Sequence, residues 1–340
     1  MLAFGASSAQ ADFTMVIPQK PGGGTSVWAQ IVAKELSKKL GESITLRHIA
    51  GARDIPGFNE FQNELQFDDD IMMVSHGGNG VSFLQEKVDY DYSNYSSIGM
   101  MNLTIVLGKW RDMEKISFAA GSGNVPDGIA LALLTCGPDK SVEAYKQCFD
   151  EEVLWVNGMS SGERRLAFLR KELTVTRENP AAYKKHVQPL IEEGNVETWF
   201  THGLLDKDSG NHVDDPNFPG LQFEKVFERT WGVAPSGELY DAYKLVKSYR
   251  DALQKAIWVR KGNPNTERLR RAMTEMINDP ESTKVFHEKV GKYEWIVGDD
   301  GDKVVAILKG LTTRNSLTTL IEWNRSVFGL DSVFKESLVN

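Results

Sequence analysis

Residues 16–26 read VIPQKPGGGTS: three consecutive glycines between an apolar run and a helical pattern. After Thr25 and Ser26, Trp28, Val32, Leu36 and Leu40 recur on one helical face, and Gly41 supplies a C-terminal stop. That order predicts a strand, a loop of bare backbone and a helix. The unit returns twice. KISFAA (115–120) enters Gly121-Ser122-Gly123-Asn124 before DGIALALLT, and EVLWVN (152–157) enters Gly158-Met159-Ser160-Ser161-Gly162 before ERRLAFLRKEL. Further strands are expected at SITLRHI, IMMVS, TIVLG, ETWFT and AIWVR, with helices from Asn265 onward broken at Asn278-Asp279-Pro280. Strands alternating with helices through short loops imply an α/β fold with mostly parallel sheets flanked by helices.

Ligands of open α/β sheets bind beyond the carboxyl ends of the strands, where helix N-termini present unpaired N–H groups and a partial positive charge. Such a place can hold an anion without Arg or Lys, and glycine lets the anion approach the backbone. The first loop lacks the Lys-Ser/Thr pair of a Walker loop and is not a G-x-G-x-x-G fingerprint. The 340 residues fit two lobes, and a net charge of −8 without a basic block gives no electrostatic reason to expect nucleic acid. No cofactor or metal is expected, since the six histidines are dispersed with no i,i+4 pair. DKDSGNHVDD (206–215) resembles a calcium loop, but its glycine comes one position early and the closing Glu is missing, so it reads as a solvated acidic loop.

The first residues are small and uncharged and end in Ala9-Gln10-Ala11, the small-x-small pattern of a signal-peptidase site, so residues 1–11 read as the remnant of an export signal. Cys136 and Cys148 bracket a short loop; in an oxidising compartment they could close a disulfide, or they are two unrelated half-buried thiols.

Taken in order, PGGGTSVWAQIVAKELSKKLG, IAGARDIPG, DDDIMMVSHGGNG, DYDYSNYSSIGMM and ISFAAGSGN resemble the extracytoplasmic solute receptors of tripartite tricarboxylate transporters, also called Bug receptors. The resemblance runs from Phe13 to the C-terminal helices and implies a two-lobed periplasmic binding protein, type II-like. Residues 12–112 and 257–340 would form the first lobe and 113–256 the second, with hinge strands near 109–115 and 256–261. Such a protein closes on a small carboxylate-containing solute, delivers it to an integral membrane permease, works as a monomer and performs no catalysis. By the same resemblance, the loops at 22–26 and 120–124 grip one carboxylate, which assigns Gly23, Gly24, Thr25 and Ser26 from one lobe and Gly121, Ser122, Gly123 and Asn124 from the other. His76, Asn79, Asn157 and Ser160 are expected to read the rest of the solute. The chain departs from the family pattern at Ser26, where Asp is common, at Ala119-Ala120, in place of Ser-Pro, and at Val156-Asn157-Gly158, in place of Tyr-x-Gly.

Two other classes fit parts of the pattern. One is a binding-protein fold used as a structural, interaction or sensing module. The other is a serine ester hydrolase, with Ser160 in a G-x-S-x-G turn, His76-Gly77-Gly78 beside the oxyanion, and Asp251 or Asp279 with His287 completing a triad.

Overall fold

The computed structural model describes residues 13–22, 24–51, 54–121 and 124–339. Strand β1 (Phe13–Ile17) leads through α1 (Gly24–Leu40) to β2 (Ile44–His48), α2 (Ile55–Asn63), β3 (Ile71–Ser75), α3 (Gly77–Gln85) and β4 (Tyr95–Met101). The second lobe follows with β5 (Val106–Trp110), β6 (Ile116–Ala120), α4 (Val125–Cys136), α5 (Val142–Glu152) and β7 (Val153–Asn157). It continues through α6 (Ser161–Leu169), β8 (Val175–Glu178), α7 (Pro180–His186), α8 (Gln188–Glu192) and β9 (Val196–Thr201). A hairpin of β10 (Leu204–Leu205) and β11 (His212–Val213) and the helices α9 (Phe223–Trp231) and α10 (Glu238–Ala252) bring the chain back to β12 (Ala256–Arg260). Then come α11 (Thr266–Asn278), α12 (Pro280–Lys289), β13 (Trp295–Val297), α13 (Asp299–Leu311) and α14 (Arg314–Phe328).

The larger sheet has the order β13-β4-β12-β3-β1-β2. Strand β1 is parallel to β2 and β3, whereas β12 is antiparallel to β3 and β4, and β13 to β4. In the second lobe β8-β5-β9 is antiparallel and β6-β7 parallel. The sheets are thus mixed, not mostly parallel. A strand that re-enters the sheet at the edge where β4 left it must run away from that edge, against its neighbours. Residues 102–105 lead from β4 to β5 and 253–255 from α10 to β12; of the stretches expected as hinges, 109–115 runs from the end of β5 through the turn before β6, and 256–261 covers β12 and the residue after it. Met101 N–H donates to Lys255 O (2.8 Å) and Asn102 Nδ2 to Leu205 O (2.9 Å), tying the two connections to what lies around them.

Helix α1 buries Trp28, Val32 and Leu36 beneath the larger sheet, and Trp28 stacks on Trp295 with ring centroids 5.8 Å apart. Helix α14 lies on the second lobe, where Phe328 stacks on Trp155 at 4.6 Å and Trp323 meets Phe149 edge-on at 5.8 Å. Cys136 and Cys148 are joined, S–S 2.10 Å, which holds α4 to α5. The acidic stretch after Asp206 turns the β10–β11 hairpin, with Asp206 Oδ1 accepting from Ser209 N–H at 2.7 Å.

The glycines of HGGNG serve helix packing. A Cβ on Gly77 would lie 2.8 Å from Arg250 O, and one on Gly80 would overlap the carbonyl of Tyr249, so α10 can approach α3 only over bare backbone. Helix propensity favours Ala over Gly by about 1 kcal/mol, but overpacking costs about 1–3 kcal/mol. The net expectation for Gly80→Ala is a loss of about 1 kcal/mol, up to about 2, in urea unfolding. Gly310→Ala, in α13 with open space around it, should be neutral or stabilising. A Gly80→Ala protein as stable as Gly310→Ala would contradict this packing.

Candidate functional site

The carboxyl ends of β1, β3 and β4 share one edge of the larger sheet, and the reversed β12 brings its amino end to the same edge. A cleft of about 530 Å³ opens there between the lobes. Gly24 and Thr25 reach it from the start of α1, and His76 from the end of β3; Arg250 comes from the end of α10 and Lys255 from the residue before β12. The second lobe contributes Arg164 and Arg165 of α6, Arg177 and Glu178 of β8, and Asn179, which caps α7. The walls are close: a Cβ on Gly24 would sit 3.9 Å from Asn179 Nδ2.

Positive charge dominates. Lys20, Arg164, Arg165, Arg177, Arg250 and Lys255 line the cleft against two carboxylates, Asp54 and Glu178. Arg165 forms a bidentate pair with Glu178 (2.7 and 2.8 Å), Arg177 Nε lies 3.2 Å from Asp127 Oδ2, and Arg250 pairs with Asp251. Among the described residues, Arg164 and Lys255 have no carboxylate within ion-pair distance, although they are 2% and 8% exposed. Arg164 makes only long contacts, 3.4 Å each, to Ala119 O, Asn124 Oδ1 and Ser161 Oγ, and its Nε has no partner. Lys255 Nζ donates to Thr25 Oγ1 at 2.6 Å. Burial, followed by the nearby Arg250 guanidinium, pushes the Lys255 ammonium down to about 7, with Asp54 opposing.

His76 caps α3, its Nδ1 3.1 Å from both Gly78 N and Asp54 Oδ2. Burial lowers its pKa against the pull of Asp54, so the ring is neutral at pH 7. Behind the cations lies a buried chain. Asp127 Oδ1 is 3.0 Å from His202 Nε2, and His202 Nδ1 is 2.7 Å from Tyr243 OH. Burial disfavours the Asp127 carboxylate, but the His202 hydrogen bond and neighbouring positive charges outweigh it and hold its pKa below the ordinary value. Among the described residues no group of three His, Cys, Asp or Glu side chains is placed to hold a metal ion.

Of the residues expected at the solute, Gly24, Thr25 and His76 line this cleft. Ser26 is buried beside it, Oγ 2.9 Å from His48 Nε2. Asn79 stands behind His76, accepting from its N–H at 3.0 Å and donating to Asp54 O at 2.7 Å. Asn124 supports the wall, accepting from Gly121 N–H (2.8 Å) and donating to Asp127 (2.7 Å). Gly121 and Asn157 line a different pocket of about 300 Å³ walled by Trp155 and Phe328, and Asn157 Oδ1 accepts from Trp155 Nε1 at 2.9 Å. Gly23, Ser122, Gly123 and residues 1–11 lie outside the described residues.

Ser160 caps α6 in a reciprocal box with Glu163, Asp251 pairs with Arg250, and Asp279 caps α12, so these triad candidates serve three separate structural contacts. The lining of the cleft is not free of Arg and Lys. Backbone N–H groups remain at α1, but side-chain cations from both lobes dominate the charge, and the sequence reading missed Arg164, Arg165, Arg177, Arg250 and Lys255. One signal was present: Arg164 shares the buried stripe of α6 with Ala167 and Phe168, a place for an apolar residue.

Lys255 carries a pH signature. Between its folded value of about 7 and its ordinary 10.5, the unfolded chain holds a proton that the folded chain has released, so stability rises with pH in that window. The contribution is complete above 10.5 and is lost as pH falls through 7. Arg250, Asp54, His76 and the Thr25 hydroxyl are the groups facing it. Urea unfolding of wild type and Lys255→Met should show the wild type gaining about 2 kcal/mol on the variant over two pH units above neutrality. A difference that does not change with pH would contradict this placement of Lys255.

No family model matches the chain, and no curated protein matches it in sequence. Solved structures share its shape. The periplasmic binding protein BugD aligns over 92% of this chain and 97% of its own, with TM-score 0.56 and 14% identity. MatC of Rhodopseudomonas palustris, solved with bound malate, covers 93% and 99% (TM-score 0.55, 15% identity), and Rpa4515 of R. palustris, solved with adipate, covers 96% and 99% (TM-score 0.58, 12% identity). At such identities the likeness is one of fold: this chain has the two-lobed fold of the periplasmic binding proteins represented by BugD and MatC.

Proposed function

We propose that the protein is an extracytoplasmic solute receptor that captures a small carboxylate between its lobes and delivers it to an integral membrane permease. It works in the periplasm as a monomer, turns nothing over and uses no cofactor. The observation that carries this reading is the cleft at the carboxyl edge of the larger sheet, where two buried cations, Arg164 and Lys255, lack a carboxylate among the described residues. A carboxylate ligand supplies the missing charge. The presence of malate in MatC and adipate in Rpa4515 supports the reading, as does the capping duty of Ser160, which leaves that hydroxyl without a nucleophile's environment.

A thermal-shift series of mono-, di- and tricarboxylates tests it. A ligand at about a hundred times its dissociation constant adds about 2.7 kcal/mol, a rise in Tm of roughly 4 °C for a chain of this size. Gly24→Leu projects a side chain into the cleft from an exposed position with no neighbour nearer than 3.9 Å. It should keep the melting temperature of the free protein and weaken the hit by roughly tenfold or more, as a 1.4 kcal/mol penalty would. A flat response to every acid would sink the receptor reading.

A further inference from the structure

We propose that Asp127, buried behind the cleft, is a positioning residue for the solute site: its one carboxylate aims Arg177 directly and Arg164 through the amide of Asn124. This rests on the receptor reading above. Asp127 stands in the first turn of α4 and is fully buried. Its Oδ2 accepts from Asn124 Nδ2 at 2.7 Å and lies 3.2 Å from Arg177 Nε. Holding one end of that amide fixes the other, so Asn124 Oδ1 turns toward Gly121 N–H at 2.8 Å and Arg164 Nη1 at 3.4 Å. Flipped, the amide would set an NH2 group against both donors. The second oxygen, Oδ1, is held by His202. A carboxylate only accepts, so His202 Nε2 carries the hydrogen at 3.0 Å and Nδ1 faces Tyr243 OH at 2.7 Å. Burial disfavours the charge on Asp127, and the His202 hydrogen bond with the surrounding positive charge outweighs that cost.

Held from behind, both guanidinium groups keep a donor in reserve. Among the described residues Arg177 Nη2 and Arg164 Nε have no hydrogen-bond partner, and both side chains line the cleft. Charge alone predicts the opposite of positioning. A carboxylate this near to the cations opposes an anionic solute, so its removal would tighten binding if it did nothing else. The sign of the effect therefore separates the two roles.

Calorimetry of the full chain with malate and with adipate would compare wild type, Asp127→Asn, Arg177→Gln and the double variant. Asp127→Asn keeps the size of the side chain and removes its charge, and it should weaken the acid that binds by about tenfold or more, as loss of a hydrogen bond to a charged group does. In the Arg177→Gln background the same substitution should change affinity by less than about twofold, since the group it aims is gone. Asn124→Ala cuts the other arm with Asp127 in place and carries the test should Asp127→Asn fail to fold: it should weaken binding in the wild type and not in Arg164→Gln. A second readout needs no solute. The Nε–H resonance of Arg177, identified by its loss in Arg177→Gln, should exchange with water faster in Asp127→Asn than in the wild type. Tighter or unchanged binding in Asp127→Asn, an equal cost in both backgrounds, or an Arg177 resonance that does not respond overturns the positioning role and leaves the receptor reading standing. Failure of every acid to bind the wild type overturns the receptor reading, and the Arg177 resonance then decides the positioning by itself.

Discussion

Strand β12 runs against both of its neighbours, and the chemistry of the cleft depends on that reversal. The carboxyl ends of β1, β3 and β4 define the edge where ligands of such sheets bind. A strand parallel to them would have placed its preceding residue at the opposite edge, about 17 Å away for five residues at 3.3 Å each. Because β12 is antiparallel, Lys255 stands at its amino end beside Thr25, and the end of α10 delivers Arg250 to the same place. The glycines at 77 and 80 complete the arrangement by letting α10 settle against α3 close enough for Arg250 to border the cleft.

That convergence carries an electrostatic cost. Isolated ions are expensive to bury, and a hydroxyl such as that of Thr25 offers little compensation compared with a carboxylate. Arg165, Arg177 and Arg250 have a carboxylate at ion-pair distance; Arg164, which feels Asp127 and Glu178 from farther off, and Lys255 do not, among the described residues. The lowered Lys255 pKa expresses this strain, since the free protein partly avoids the cost by shedding the proton. A chain with net charge −8 repels small anions at a distance, so the local cations must act at short range, inside walls that exclude much of the water.

Local pattern made part of this legible. The strand, glycine loop and helix at 13–40 follow from adjacent residues alone, as does the buried face of α1. Strand direction is not local, and so the mixed sheet escaped the reading of short segments. Lys255 escaped for the same cause: before AIWVR it looks like a polar residue bounding a strand, and only the reversal of β12 turns it toward the ligand edge. HGGNG was legible as a glycine-rich turn but not as a helix start whose bare face receives a helix from residues 238–252. Arg164 is different, because its place in the buried stripe with Ala167 and Phe168 was visible in the spacing, and charge at such a place asks for a partner.

In the second glycine loop one backbone donor is already engaged and a side-chain cation lies beside it. A loop that holds a carboxylate directly must keep its N–H groups free, yet Gly121 N–H is already given to Asn124 Oδ1 at 2.8 Å. The same oxygen, together with Ala119 O, faces the Arg164 guanidinium at 3.4 Å. The acceptors at the end of β6 therefore orient a cation, and the cation, not this N–H group, meets the cleft. An N–H donor offers a partial charge at a fixed point, whereas a guanidinium offers a full charge in a planar fork on a long stem. Arg164 thus carries the end of a parallel strand pair, β6-β7, into the space between the lobes, and it does so from a helix capped by the serine that a hydrolase would have needed as its nucleophile.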